Sequence, residues 1–315
     1  MKTACIYHSI DLDGWMSAAI VKYWWHTSPD ALDNNDDKLD FIGYNYGDPI
    51  PDVSEYDRVI MCDISFPNDK MFGIVEILGK ELIWIDHHIS AIKDNVDVEL
   101  VAGLRNTNFA ACELTWKYFF PNNPMPEIVR LLGRYDCFGH KETDEEQKVL
   151  EFQYGARQCI SNYNEAYNYL LKSFKDIINY DYVGQYTIED RILEQGKSIY
   201  QYLCTEAKQT YKNGFEINLK EPFVGLWGSG KDDRKFICIN KERFNPINFG
   251  IDYHKDGYDG CACFHYANGM WNFSLYNDNG LVDCSAIAKQ YGGGGHKGAS
   301  GFRTNNIEQF IRKNL

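Results

Sequence analysis

Three short apolar runs in the first part of the chain lead straight into acidic or histidine-bearing clusters, and no other feature constrains the fold as strongly. Ala4-Cys5-Ile6-Tyr7 is followed by His8, Asp11, Asp13 and Gly14. Arg58-Val59-Ile60-Met61-Cys62 is followed by Asp63, and Glu81-Leu82-Ile83-Trp84-Ile85 by Asp86-His87-His88. A fourth group, Gly133-Arg134-Tyr135-Asp136, closes a helical pattern. Short apolar runs bounded by turn formers are expected of strands buried on both faces. Helical patterns lie between them: Gly14 to Trp25 with Ala18, Ala19 and Val21 on its apolar side, Lys70 to Leu78, and Ala110 to Phe120 with Asn108 as its expected cap. Phe41-Ile42-Gly43-Tyr44 supplies another strand and Val98-Glu99-Leu100-Val101 a fifth. This alternation predicts an α/β fold, a largely parallel sheet with helices on both faces. Ligands bind beyond the carboxyl ends of such strands, so clusters far apart in sequence are expected to share one crevice.

Residues 126 to 210 read as mostly helical. At their end Ile188 to Lys212 is a long amphipathic stretch with Ile192, Leu193, Ile199 and Leu203 at helical spacing. From Asn213 the pattern changes. Phe223-Val224-Gly225-Leu226-Trp227 and Phe236-Ile237-Cys238-Ile239 look like strands, and Cys261 to Tyr266 and Met270 to Tyr276 flank Asn268-Gly269 as a hairpin. Asp283 to Gln290 is a short helix, followed by Gly292 to Gly295 and His296. That glycine run is too dense for a strand or helix interior. It is either a turn after the helix or a backbone that approaches a phosphate through its N–H groups. Tyr291 beside it is a candidate for stacking on a base. The expected domains are 1–187, a linking helix 188–212, and 213–315.

The chain has 315 residues, 44% of them hydrophobic, enough for two domains with substantial cores. No stretch approaches the ~18 consecutive apolar residues of a membrane span. The first residues run into a strand without the apolar region of a signal peptide, so the expected location is the cytoplasm. Ten cysteines include no Cys-x-x-Cys pair, Cys261-Ala262-Cys263 being the closest spacing, and are expected as free thiols in a reducing compartment. The net charge is −13, from 32 lysines and arginines against 45 acidic residues. That field repels long polyanions and favours a small phosphorylated substrate.

Taken singly, the clusters have ordinary readings: His8 to Gly14 as an Asp/Gly turn, Asp63 as a cap. Asp86-His87-His88 is harder to dismiss, because titratable groups at the end of a buried strand are costly without partners. Carboxylate oxygens and imidazole nitrogens with open positions suit manganese, iron or cobalt. Two such cations side by side activate a water and stabilise a phosphoryl group under attack.

Four motifs in this order resemble the DHH phosphoesterase superfamily. Val282-Asp283-Cys284-Ser285-Ala286-Ile287-Ala288, with Gly292-Gly293-Gly294-Gly295-His296-Lys297-Gly298-Ala299-Ser300-Gly301-Phe302, resembles the DHHA1 substrate-binding domain. The resemblance implies an N-terminal DHH domain with a largely parallel sheet flanked by helices, a linking helix, and a smaller C-terminal α/β DHHA1 domain. His8, Asp11 and Asp63 would hold one cation, and Asp13, Asp63, His87 and Asp136 the other, with Asp63 bridging. Asp86 would orient a ligand. His88 would contact the phosphate or help protonate the leaving oxygen. Gly293, Gly294, Gly295 and His296 would grip the substrate's other end. Only Ser9 and Ile10 separate His8 from Asp11, where many members of the family have three residues.

The function so implied is a manganese-dependent phosphodiesterase or phosphatase of the nanoRNA-degrading, oligoribonuclease-like branch. It would convert short oligonucleotides, linear dinucleotides such as pApA, or 3′-phosphoadenosine 5′-phosphate to mononucleotides. Two divalent ions are expected, manganese first, with cobalt, iron or magnesium as alternatives. The expected partner is the nucleotide substrate, without a membrane or a stable long nucleic-acid complex; a homodimer is compatible with this reading. The alternatives are an inorganic pyrophosphatase or exopolyphosphatase, whose relatives carry a lysine- and arginine-rich C-terminal domain, and a cyclic dinucleotide phosphodiesterase. A long-substrate exonuclease is disfavoured by the acidity. A non-catalytic nucleotide-binding protein is least favoured, because every motif keeps its Asp and His residues.

Overall fold

A computed structural model of the protein describes residues 1–27, 37–78, 81–95, 101–178, 186–220 and 233–309. The chain forms two compact units, Met1–Ile199 and Tyr200–Leu315. In the first, the elements run β1 (Lys2–His8), α1 (Leu12–Thr27), β2 (Lys38–Tyr44), β3 (Arg58–Cys62), α2 (Asn68–Leu78), β4 (Leu82–Ile85), α3 (Ile89–Asp94), α4 (Ala111–Phe119), α5 (Glu127–Asp136), α6 (Glu146–Cys159) and α7 (Tyr163–Ile178). Helix α8 (Ile188–Lys212) follows, and the division between the units falls within it.

The four strands are parallel, in the order β2-β1-β3-β4. Their side chains alternate between two apolar layers, as the period of two requires. Ala4, Ile6, Val59, Met61, Leu82 and Trp84 join Met71 and Ile74 of α2 and Ala91 of α3. Cys5, Tyr7, Ile60, Cys62 and Ile85 join Ala18 and Val21 of α1 and Leu114 of α4. Both faces of the sheet are therefore covered, and this explains the unbroken apolar runs. Helix α1 is buried more widely than its three-residue apolar side predicts. Its Leu12, Met16, Ala19 and Ile20 pack into a second cluster with residues of α5 to α8, so the helix lies between sheet and bundle and is apolar over most of its surface.

The topology places the site. From β1 the chain crosses to β2 on one side, whereas β3 and β4 lie on the other. The carboxyl ends of β1 and β3 therefore meet at a switch point, where open α/β sheets form their binding crevice. Of the expected fifth strand, residues 98–100 lie outside the described residues. Beyond them the β4 edge carries isolated parallel bridges, Ile83 to Ala102 and Asp86 to Arg105.

The second unit holds β5 (Phe215–Lys220), β6 (Asp233–Asn240), β7 (Gly260–Ala267), β8 (Met270–Tyr276), α9 (Cys284–Lys289), β9 (Gly294–Gly295) and β10 (Ala299–Thr304). Its sheet has the order β5-β6-β7-β8-β10-β9, antiparallel except between β6 and β7. Asn268 and Gly269 both have positive φ, 53° and 77°, the type I′ geometry that the Asn-Gly pair predicts. Asp283 caps α9 by accepting from the Ala286 N–H. The expected strand at 223–227 lies outside the described residues.

The glycine run corrects an expectation. Gly294 and Gly295 do form a strand, pairing with Gly301 and Ser300 of β10 at the sheet edge. Two residues are short enough that the entropic cost of glycine does not prevent the pairing. His296 closes the turn back to β10, its N–H donating to Ala299 O at 2.7 Å. All ten cysteines are free. Among the described residues no helix is long and apolar enough to cross a membrane.

Candidate metal centre

The chain leaves β1 at His8 and turns directly into α1. Asp11 makes the turn: its Oδ1 accepts from the Gly14 N–H at 3.0 Å and its backbone oxygen from the Trp15 N–H at 3.1 Å. A Cβ at Gly14 would lie 1.9 Å from His8 O, so only glycine lets the helix begin against the strand end. The same turn brings His8 Nδ1 to 2.9 Å from Asp11 Oδ2 and 3.4 Å from Asp63 Oδ2. Asp63 follows β3 in the left-handed region, φ 61°, and its N–H donates to Ile85 O at 2.9 Å. Aspartate tolerates that conformation better than most residues, at a small cost in strain, and such strain concentrates at functional sites.

Asp13 has a structural partner 98 residues away. Its Oδ2 accepts from the Ala111 N–H at 2.9 Å and its Oδ1 from the Cys112 N–H at 2.7 Å, so the carboxylate caps the N-terminus of α4. This corrects the expected Asn108 cap. The N-cap position is Ala110, which has no side-chain acceptor, and a buried helix start must find one elsewhere. Glu113 adds a second acceptor, taking the Ala110 N–H at 3.0 Å. The Glu113 carboxylate also receives Arg134 of α5, Nε to Oε1 at 3.1 Å with a closer contact from Nη2 to Oε2. A Cβ at Gly133 would lie 2.4 Å from Glu113 Cγ, which explains the glycine beside Arg134. The pair thus ties α4 to α5 half a turn before Asp136. Arg134→Met would strand the buried Glu113 carboxylate. The expected result is a loss of about 3 kcal/mol in urea unfolding; a loss under about 0.5 kcal/mol, typical of a surface change, would contradict it.

The Asp86-His87-His88 segment divides its roles. Asp86 is fully buried, and its Oδ1 accepts from the His87 N–H at 2.7 Å and the His88 N–H at 3.0 Å and lies 2.8 Å from His88 Nδ1. Its Oδ2 accepts from Trp84 Nε1 at 3.3 Å. The ring that Asp86 orients is therefore that of His88. The ring of His87 points elsewhere: its Nε2 lies 3.1 Å from Asp136 Oδ2, 3.4 Å from Asp63 Oδ1 and 3.7 Å from Asp13 Oδ2.

The structure thus gathers His8, Asp11, Asp13, Asp63, His87 and Asp136 at one place, in interlocking triads whose ligand atoms lie within 4.8 Å of one another. His8, Asp11 and Asp63 form one triad and Asp13, His87 and Asp136 another. Asp63, His87 and His88 form a third, which the expected ligand set does not include. Asp63 joins them with different oxygens, Oδ2 toward His8 and Oδ1 toward His87. Gly293, Gly294, Gly295 and His296 belong to the second unit.

These residues fit the binding of metal. His8 Nδ1 and Asp63 Oδ1 are buried, yet neither makes a hydrogen bond of acceptable geometry among the described residues despite the short separations. Buried polar atoms left this way are costly, and atoms that converge without aligning as donor and acceptor are arranged as ligands are. The electrostatics agree. Burial opposes protonation of His8, but Asp11 and Asp63 outweigh it and hold its pKa up to about 11. Burial likewise opposes protonation of His87, and Asp136 and Asp63 raise it nonetheless. Burial, with Asp63 and Asp136 adding their charge, pushes the Asp13 carboxyl well up. Protons thus crowd where cations would neutralise the carboxylates, and cation binding would release them.

Two contributors were not expected from the sequence. Tyr46, just after β2, places its ring centroid 6.2 Å from those of both His8 and His88. Its neighbour Asn45 accepts from the Ser9 N–H and hydroxyl, both at 3.2 Å, tying the β2 end to the β1 loop. The signal was available, since β2 is also a parallel strand and its carboxyl end opens on the same side. Glu113 was also detectable, because Ala110-Ala111-Cys112-Glu113 has the spacing by which a glutamate reaches back to an N-cap.

No family model matches the chain. An uncharacterized protein of Acanthamoeba polyphaga mimivirus is 23% identical, over 96% of this chain and 68% of that one. Among solved structures, an exopolyphosphatase-related protein from Bacteroides fragilis is similar with a TM-score of 0.51 at 13% identity, covering 99% of this chain and 89% of the other. A pGpG-specific phosphodiesterase from Vibrio cholerae matches with a TM-score of 0.48 at 12% identity, covering 99% and 96%. The fold is the α/β, two-domain arrangement that the DHH/DHHA1 resemblance implies.

Proposed function

We propose that the protein is a two-metal phosphoester hydrolase acting on short nucleotide substrates. One observation carries this: Asp63 offers one oxygen to the His8 side and the other to the His87 side of a single buried cluster. Two divalent cations bound there, manganese first by the donor set, would activate water and neutralise charge on a phosphoryl group. His8, Asp11 and Asp63 would hold one, and Asp13, Asp63, His87 and Asp136 the other. Asp86 fixes His88 through Nδ1, which leaves Nε2 to carry and give up a proton at the leaving oxygen. The pKa of His88 is held up to about 9, because Asp86 and Asp63 outweigh the burial that opposes protonation. Gly293, Gly294, Gly295 and His296 are assigned to the substrate's far end by their motif.

Short substrates are supported by the charge of −13, which disfavours a long polyanion. The test is a product profile on labelled di- to pentanucleotides with manganese, cobalt, iron or magnesium. Mononucleotides are expected, and no cleavage with any of the four would overturn the reading. A second reading, hydrolysis of a phosphoanhydride, takes support from the fold-sharing Bacteroides fragilis protein being exopolyphosphatase-related. Phosphate release from polyphosphate or pyrophosphate without nucleotide cleavage would put it first.

Metal binding is separately measurable. At a cation concentration of 100 times Kd the folded state gains about 2.7 kcal/mol. For a chain of this size the melting temperature should rise by about 4 °C. No shift on adding manganese, checked by calorimetry, would mean that the cluster holds no cation.

A further inference from the structure

A cavity of about 460 Å3 lies in the first unit, beside the metal centre, and the mechanism above does not use it. Tyr44, Tyr46, Ser65, Phe66, Asp94 and Asn95 are among its lining residues. Its volume falls within the range of small-molecule sites. Tyr46 and Ser65 connect it to the centre: the Tyr46 ring lies against His8 and His88, and Ser65 is two residues past Asp63.

The lining selects a class of occupant. Among the described residues no lysine or arginine lines it, and Asp94 adds a carboxylate, so a second phosphate is disfavoured. The walls are aromatic. Tyr44 and Phe66 are buried and pack edge to face, centroids 4.9 Å apart at 85°. Tyr46 is 51% exposed, a ring still open to stacking. Asn95 is 2% exposed and its Nδ2 donates to Ala91 O at 2.9 Å and Phe66 O at 3.5 Å, two carbonyls that fix the amide's orientation.

We propose that this cavity is a nucleobase site, in which Tyr46 stacks on the ring. It would hold the base attached through its sugar to the phosphate under attack. This rests on the hydrolytic reading of the metal centre and adds to it a reason why a nucleotide, rather than any phosphoester, is the substrate.

The test compares kcat/KM for a dinucleotide and its two singly abasic forms. One abasic form should fall at least about tenfold in the wild-type protein, within the range stacking supplies. Tyr46→Ala should reduce that discrimination to under about threefold, whereas Tyr46→Phe, which keeps the ring, should preserve it. Discrimination that survives Tyr46→Ala, or two abasic forms cleaved like the parent, would overturn the proposal. If wild-type protein cleaves nothing, the hydrolytic reading falls and the cavity is judged by binding alone. Calorimetry with a nucleoside 5′-monophosphate and with ribose 5-phosphate then decides. Binding about tenfold tighter with the base, lost in Tyr46→Ala, supports the site; equal affinities overturn it.

Discussion

Asp63→Asn is expected to abolish metal-dependent hydrolysis, by on the order of a thousandfold, at or beyond the cost of removing one preorganised transition-state contact. Asparagine is the controlled replacement, because it also tolerates the left-handed backbone that Asp63 adopts and keeps the side-chain shape. What it loses is the charge and one of the two oxygens that face the His8 and His87 sides. The variant should keep its circular dichroism spectrum and lose the rise in melting temperature on adding manganese. Activity within about tenfold of wild type would show that Asp63 does not hold two cations together, because that residual is far above what loss of a shared ligand allows.

Asp13→Ala should damage both fold and chemistry. It removes an acceptor from two buried N–H groups at the start of α4. A lost helix cap costs about 1 kcal/mol, and stranded buried donors about 1–3 kcal/mol more. Relief from the crowding of Asp13 by Asp63 and Asp136 offsets part of this. A net loss of about 2–3 kcal/mol is expected, seen as a fall of roughly 3–5 °C in melting temperature without added metal. Asp13→Asn keeps one acceptor oxygen and should lie between wild type and alanine. A melting temperature for Asp13→Ala equal to that of wild type would refute the capping role.

The convergence of the clusters is legible in the sequence because it follows from a rule about parallel sheets. Once Ala4–Tyr7, Arg58–Cys62 and Leu82–Ile85 are strands, the residues after them must share one edge. The same rule reaches Tyr46, but an aromatic after a strand carries no charge signal, so β2 drew no attention. Local rules fail where the partner is distant. Asn108 is the residue that capping preferences select near α4, yet the carboxylate that fills the position comes from α1, and nothing in a window around residue 110 encodes it. Asp86 shows a subtler limit. That it orients a neighbour is readable from its place beside two histidines; that the neighbour is His88 depends on how the carboxylate is held, Oδ2 by Trp84 Nε1 and Oδ1 beside the His88 ring. In the second unit, glycine density argues against a strand only where a strand must be long. A two-residue pairing at a sheet edge escapes that argument.

The capping of α4 from a distance has a consequence for how the protein folds. A nine-residue helix that begins at an alanine is marginal by itself, because nucleation is costly and the Ala111 and Cys112 amides take their side-chain acceptor from Asp13, far away in the chain. It gains one only when β1 and α1 have docked, after closure of a loop of roughly a hundred residues, and contacts of such sequence separation form slowly. Helix α4 and the Asp13 side of the cluster should therefore appear together and late in refolding. Cation affinity would then rise with the last folding phase, and a stopped-flow metal indicator could serve as a clock for completion of the native state.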